Sequence, residues 1–275
     1  MPLCQRSERS RKAFAATVIA SLIVVAGAAC GGGSGTEPDE TPAATADQST
    51  AAQQAEANPE DQQAQPIVKD EDGDGQPEIT GGVYGDPAAA LHFWEQQTES
   101  DCGLMATRMV VGEITGAPPT EREIIDLAAK TPSECDPGEP VYDESVDPSD
   151  GGVGHGTCTT DLLLLLKHYG IKADYTNDDT AAKGGLATGM DALADYLGDG
   201  RQAIVCVNSN TIWDGDGDRT GCGHLVTVAA IDYDNDAVYL GDSGGDDTKG
   251  EHVTTDVFES AWAAGDHELV VTAPR

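Results

Sequence analysis

The stretch from Gly221 to Ser243 constrains the fold more than any other part of the chain. A glycine-rich turn, Gly221-Cys222-Gly223, opens onto the apolar run His224 to Ile231, and the polar turn Asp232 to Asp236 separates it from a second run, Ala237 to Leu240. Two such runs joined by a short polar connection predict an antiparallel hairpin. Its geometry brings the start of the first strand close to the end of the second, so His224 and Asp242 should become neighbours. Ala203 to Val207 and Glu268 to Thr272 supply two more short strands, and Val257 to Trp262 a short helix between them. The upstream half reads differently. Met105, Ala106, Met109 and Val110 fall at helical spacing after Cys102. Thr120-Glu121-Arg122-Glu123 has capping-box spacing before Ile124, Ile125 and Leu127. Thr160 can cap a helix from Asp161 to Tyr169 with Gly170 as its stop, and its five leucines, 162 to 166, imply burial on most sides. Helices first and strands after predict an α+β fold, with N-terminal helices packed on a C-terminal antiparallel sheet.

The first eighty residues stand outside that pattern. Arg6, Arg9, Arg11 and Lys12 precede an apolar run from Ala13 to Val25, which is shorter than the ~20 residues that span a bilayer. Small residues Gly27, Ala28 and Ala29 then lead to Cys30. This order is that of an export signal over residues 1–29, and small residues followed by cysteine resemble the bacterial lipobox, which implies lipidation of Cys30. The alternative is ordinary cleavage and a free secreted product. Gly31 to Gly35 form a tether, and Thr36 to about Pro66 holds almost no bulky apolar residue. Such a segment cannot bury enough surface to offset its ordering entropy, so residues 30–81 are expected to be a disordered acidic linker and residues 82–275 the folded domain.

Charge excludes whole classes of partner. The chain has 15 basic and 49 acidic residues; removing residues 1–29 takes away four basic side chains and one acidic one, leaving eleven against forty-eight, a net charge of −37. Nucleic-acid binding needs a patch of Lys and Arg on phosphates, and nothing here supplies it. Anionic lipid headgroups are excluded for the same reason, so attachment to the outer face of the cell membrane has to come from an acyl anchor.

Seven cysteines are present. Cys4 leaves with the signal and Cys30 would carry lipid, which leaves Cys102, Cys135, Cys158, Cys206 and Cys222 in a compartment that permits disulfides. Five is odd, so at least one thiol stays free. Context selects Cys102. Ser100 or Asp101 can cap its helix by accepting from a free N–H, and the helix N-terminus favours a thiolate. Gln96, six residues upstream, can offer its side-chain amide to an oxyanion, with Gln97 as a competitor for that role. His224 would take the thiol proton, and Asp242 would hold the imidazole in the correct tautomer.

Gln96, then Asp101-Cys102-Gly103, then Gly223-His224 with apolar alternation, then a hairpin ending in Asp242, resembles the double-glycine-leader peptidases, which are similar to papain in catalytic order. The resemblance spans roughly residues 91–271 and implies a papain-like cysteine peptidase fold with Gln96, Cys102, His224 and Asp242 as its catalytic set. It also implies a peptide or protein substrate. The chain departs from the best-known members in carrying no transporter, in its extra cysteines and in an acidic insertion from Ser133 to Val153.

The other clusters stay secondary. With Cys102 set aside, the remaining cysteines pair as Cys135–Cys158, closing the insertion, and Cys206–Cys222, tying a strand to the turn before His224. Cys135, His155 and Cys158 as zinc ligands lack an obvious fourth partner. Two loops alternate aspartates as calcium loops do, Asp70-Asp72-Asp74 and Asp214-Asp216-Asp218, but the first has Gly81 where a bidentate Glu is needed and the second has Arg219 where Gly should stand. No other cofactor is indicated. The reading is a surface-anchored thiol hydrolase acting on peptide or amide bonds. Its rivals are a non-catalytic peptide- or calcium-binding lipoprotein on the same scaffold, and a transglutaminase or amidase of that fold.

Overall fold

The computed structural model describes residues 81–145, 156–245 and 247–274, together with the backbone of two short strand pairs at 68–69 with 78–79 and 146–147 with 152–153. The export signal, Cys30, most of the acidic linker, the Asp70-Asp72-Asp74 loop and His155 lie outside the described residues. Among the described residues no helix is long and apolar enough to cross a membrane.

In chain order, β1 (Val68–Lys69) pairs with β2 (Glu78–Ile79), and β3 (Val83–Gly85) leads into the short helix α1 (Ala89–His92). Two longer helices follow, α2 (Cys102–Thr115) and α3 (Glu121–Ala128). The pair β4 (Val146–Asp147) and β5 (Gly152–Val153) lies within the acidic insertion, and a single 3₁₀ turn at Thr159–Asp161 runs into α4 (Leu162–His168). The remainder alternates: β6 (Ala173–Thr176), α5 (Asp178–Ala182), α6 (Met190–Gly198), β7 (Ala203–Val207), α7 (Ser209–Ile212), β8 (His224–Asp232), β9 (Ala237–Gly241), β10 (His252–Val253), α8 (Thr255–Ala263) and β11 (Leu269–Thr272).

The central sheet has seven strands, ordered β10-β9-β8-β7-β11-β6, with every described pairing antiparallel. β3 pairs with the far half of β8, at Ala230 to Asp232, taking over where β7 leaves off at Val228. This N-terminal strand carries only three residues, with an exposed Val83, too little periodicity to read from sequence. The expected hairpin is β8 and β9, with Thr227 opposite Gly241 and an irregularity between Val228 and Ala230.

All nine positions of β8 are buried, because helices cover both faces of the sheet. Ile204, Cys206, Leu225 and Val270 point into a core shared with Leu104, Val110 and Val111 of α2 and Leu162, Leu165 and Leu166 of α4. Their sequence neighbours Val205, Val207, Val226, Leu269 and Val271 point the other way, against Leu193 and Leu197 of α6 and Phe258 and Trp262 of α8. Alternate residues thus feed two cores, which is why these strands are apolar at every position rather than at every second one. The helices ahead of the sheet match the expected layer; α6 and α8 add a second layer behind it.

Local signals explain the helix boundaries. Thr120 and Glu123 form a full capping box, with Glu123 N–H on the Thr120 hydroxyl and Thr120 N–H on Glu123. Gly116 ends α2 in the left-handed region. The start of α4 differs from expectation. Asp161 belongs to the 3₁₀ turn, and its carboxylate accepts from the Ser133 hydroxyl at 2.6 Å and from the N–H groups of Glu134 and Cys135. It clamps the root of the acidic insertion. The Cys135–Cys158 disulfide closes the same segment, and Cys206–Cys222 joins β7 to the turn before β8. Both expected pairings are present, and Cys102 is the free thiol among the described residues.

Candidate active site

Cys102 opens α2, a helix so central that residues 103 to 112 are all buried. The glycine after it is required by packing. A Cβ on Gly103 would stand 2.8 Å from Leu225 Cδ1 and 3.3 Å from Leu162 Cδ2, so a side chain there would lift the helix start off β8. With Gly103 the approach is close enough for the Leu225 N–H to donate to Cys102 Sγ at 3.4 Å. The sulfur is half-buried and faces the first residue of β8, which is His224.

His224 is almost fully buried, and Asp242 is fully buried. His224 Nε2 and Asp242 Oδ1 are 2.7 Å apart. With Nε2 engaged, the imidazole meets the Cys102 thiol through its other nitrogen. The hairpin creates this pairing: two residues separate His224 from Thr227, which lies opposite Gly241, and Asp242 follows directly. Burial pulls the His224 pKa down, but the hydrogen bonds to Asp242 and then to Cys102 outweigh it and raise the value to about 10. Burial likewise opposes ionisation of Asp242, yet the His224 hydrogen bond and charge hold its carboxyl below the usual range. The arrangement therefore favours an imidazolium clamped by a carboxylate.

Asp242 has further donors. Gly244 N–H reaches Oδ1 at 2.7 Å, and Trp213 Nε1 reaches Oδ2 at 3.1 Å. The Trp213 ring also lies against the imidazole, with centroids 5.0 Å apart, while its own face remains partly exposed. It screens the His224–Asp242 bond from water. Gly244 has no room for a side chain, since a Cβ would come within 2.9 Å of both His224 Cε1 and the Trp213 ring.

The segment before α2 is fastened to the same hairpin end. Trp94 Nε1 donates to the Asp242 carbonyl, and Gln97 N–H donates to the Ser243 carbonyl at 3.0 Å. The two candidate amides differ in exposure. Gln97 is occupied: its carbonyl oxygen accepts from the buried Ser243 hydroxyl at 2.8 Å, and its amide nitrogen donates to the Glu99 carbonyl at 2.9 Å. Gln96 is exposed on the stretch so anchored.

The expected side-chain cap on α2 is not made. Asp101 holds the N-cap position, but its side chain makes no cap bond; neither carboxylate oxygen has a hydrogen-bond partner, although the residue is fully buried. Burial first, then the charge of Glu121, raises its pKa to about 7.

Among the described residues, the remaining candidates do not converge on a ligand site. Asp214 pairs with Arg219 at 2.9 Å, Asp218 accepts from the Thr220 hydroxyl and N–H, and the carboxylates of Asp214, Asp216 and Asp218 do not converge. Cys135 and Cys158 are joined to each other, so neither is a thiolate ligand for zinc. One cluster among the described residues has the spacing of a metal site, Cys206, Cys222 and Glu268, but its two sulfurs are a disulfide. Trp94 pins the segment before the helix, as its bulk ahead of the glutamines suggests, whereas Trp213 and Glu251, whose carboxyl contacts Asp242 and Trp213, escaped the sequence reading. A tryptophan in the polar loop before Gly221 was a usable signal for Trp213; nothing in the sequence marks Glu251.

Residues 90–268 match the Peptidase C39-like family. Uncharacterized proteins of Mycobacterium tuberculosis and Mycobacterium bovis are 40% identical over 198 residues, spanning 70% of this chain and 85% of theirs. A solved Bacillus anthracis chain named for the C39-like peptidases is 16% identical, with a TM-score of 0.47 over 70% of this chain and 98% of its own.

Proposed function

Since the chain belongs to the Peptidase C39-like family, we propose that it is a surface-anchored thiol hydrolase that cleaves peptide or amide bonds through an acyl-enzyme on Cys102. The observation that carries this reading is the continuous chain from the Cys102 thiol through His224 to the buried Asp242 carboxylate, with Cys102 half-buried at its open end. Cys102 attacks the scissile carbonyl as thiolate, and its sulfur–carbon bond forms as the carbonyl electrons move onto oxygen. Gln96 and the Cys102 N–H stabilise that oxyanion. His224 then passes its proton to the departing amine, and water, deprotonated by His224, releases the acyl group. Asp242 remains ionised throughout and keeps the ring oriented.

A strongly acidic exterior fits an extracytoplasmic enzyme held by lipid on Cys30, with residues 1–29 removed and residues 30–81 as its tether. Cys30→Ala should move the protein from the membrane to the soluble fraction; a mature chain without lipid by intact mass would refute the anchor. For the chemistry, the test is an irreversible thiol-reactive peptide probe with the modified residue located by mass spectrometry. Labelling at Cys102, lost in Cys102→Ala together with peptide hydrolysis, is expected. Hydrolysis that persists in Cys102→Ala would refute the mechanism, and peptide binding without turnover in the unmodified protein would replace it with a binding scaffold.

A further inference from the structure

We propose that Glu251 is a positioning residue for this site, acting as a protonated carboxylic acid that donates a hydrogen bond to Asp242 and so fixes the carboxylate that orients His224. The inference rests on the thiol-hydrolase reading and adds a fourth side chain to the relay.

The argument begins with two carboxyl groups in one buried place. Glu251 sits just before β10, and its side chain is within hydrogen-bonding reach of Asp242 and of Trp213. Its Oε2 is buried and meets no donor. Two ionised carboxylates in contact would face each other as bare acceptors, which buried groups avoid at considerable cost. A proton must therefore lie between them. Asp242 already takes three donors, from His224, Gly244 and Trp213, and those donors favour its ionised form. The proton consequently belongs to Glu251. Its pKa agrees, raised to about 7 by burial and then by the charge of Asp242.

The surroundings support a role for the side chain beyond holding the strand. The backbone is fixed independently: Glu251 N–H donates to the Thr248 carbonyl at 3.0 Å, and its carbonyl accepts from Leu240 at 2.9 Å. Thr248, in the same turn, donates its hydroxyl to the Asp242 carbonyl at 2.8 Å. The titratable and charged groups facing Glu251 are Asp242 after β9 and His224 at the start of β8. On its own segment, Lys249 lies over the Trp94 ring and His252 against Tyr239. Once Glu251 ionises, it repels Asp242, and the less buried Glu251 is the one free to swing outward. Asp242 then loses a donor and His224 loses part of its support.

The test reads Cys102 directly and needs no known substrate. The full-length chain is alkylated with iodoacetamide at intervals from about pH 6 to about pH 8, a range that brackets the shifted carboxyl, and the Cys102 peptide is quantified by mass spectrometry. At about pH 6, Glu251→Gln, whose amide can still donate, should react within about twofold of wild type, and Glu251→Ala about tenfold more slowly. As pH rises the wild-type rate should fall relative to Glu251→Gln, because the amide does not titrate. Asp101 also titrates in this range, so the ratio of the two rates is the quantity to follow; the Asp101 contribution cancels in it. Melting curves of both variants check that the fold is retained. A ratio independent of pH, or Glu251→Ala reacting like wild type, overturns this assignment alone. A Cys102 that is inert in wild type at every pH overturns the thiol–imidazole pair and this assignment together.

Discussion

The two halves of the candidate site are held in different ways. On the sheet side, Asp242 takes donors from His224, Gly244 and Trp213, and adjacent strands in fixed register bring these groups together. On the helix side, the close approach of Gly103 to Leu225 sets the start of the buried helix that carries Cys102, and its neighbour Asp101 is buried with neither carboxylate oxygen meeting a donor. The sheet side is over-determined, so losing one contact there should loosen it without dissolving it. The helix side is poised, with the reacting atom at the end of an uncapped helix. The contrast assigns reactivity to one element and orientation to another, and it can be tested from each end.

The sharpest break comes at the nucleophile. Cys102→Ala should remove turnover on the order of 10⁶-fold, since no other group is placed to form the acyl intermediate. Asp242→Asn should cost less, at most about 10⁴-fold, because the attacking thiol remains and only orientation suffers. Steady-state peptide hydrolysis and the rate of Cys102 alkylation should separate the two: the first variant loses both, whereas Asp242→Asn keeps measurable alkylation. Equal losses in hydrolysis would mean that the sheet side does more than orient.

The adjacent glutamines sharpen the contrast further. Gln96→Ala should lower hydrolysis by ~10²–10³-fold while Cys102 still reacts with alkylating agents, as expected for loss of one oxyanion donor. Gln97→Ala should act differently, because that side chain bonds Ser243 and the Glu99 carbonyl. Its effect should appear first in stability, at about 1–2 kcal/mol by chemical denaturation. If the two variants exchanged phenotypes, the role given to Gln96 would belong to Gln97.

Much of this was legible because the informative signals were local. A capping box needs four residues, and Thr120 to Glu123 form one as read. The hairpin could be placed because its turn and both strands lie within twenty residues, and His224 and Asp242 came together with it. Setting Cys102 aside left three ways to pair the other four cysteines, and the expected one is present. What escaped depends on distant contacts. β3 joins β8 across nearly 150 residues of sequence, and a three-residue strand has no period to detect. Asp101 looks like a helix cap in sequence, but its side chain turns inward instead. Glu251 is one acidic residue among 49, and only the folded turn sets it against Asp242.

The disulfides extend the comparison to one bridge in each half. Cys206–Cys222 spans 16 residues and Cys135–Cys158 spans 23, so loop-closure entropy predicts ~3 kcal/mol of stability from each. Their effects on chemistry should diverge. Cys206–Cys222 fixes the turn that enters β8 at His224, whereas Cys135–Cys158 closes the acidic insertion. Paired serine substitutions should therefore cost similar stability in denaturant, but only Cys206→Ser with Cys222→Ser should also slow Cys102 alkylation at a temperature where both variants are folded. Equal slowing would show that the insertion shapes the site as strongly as the sheet does.

The smallest effect concerns a histidine outside the site. His267 lies in the turn between α8 and β11 with a positive φ of 50°, its edge against Trp262. Its Nδ1 is 2.9 Å from Asp178 and its Nε2 3.0 Å from Glu259, so it bridges α5 to α8 behind the sheet. The hydrogen bond to Glu259 is the largest influence on its pKa; burial opposes it, Asp178 adds to it, and the value rises to about 9. A folded-state pKa above the unfolded value of ~6.5 contributes stability that is fully present below ~6.5 and is lost as pH climbs through about 9. His224 titrates higher, so the variant His267→Gln isolates this contribution. The melting temperature of wild type should exceed that of His267→Gln by no more than ~4 °C at about pH 6, and the difference should vanish by about pH 10. Cys102 alkylation at neutral pH should be unchanged, because this bridge supports the outer helices and touches neither Asp242 nor His224. A melting difference that stays constant with pH would mean that His267 acts there by packing against Trp262 rather than by charge.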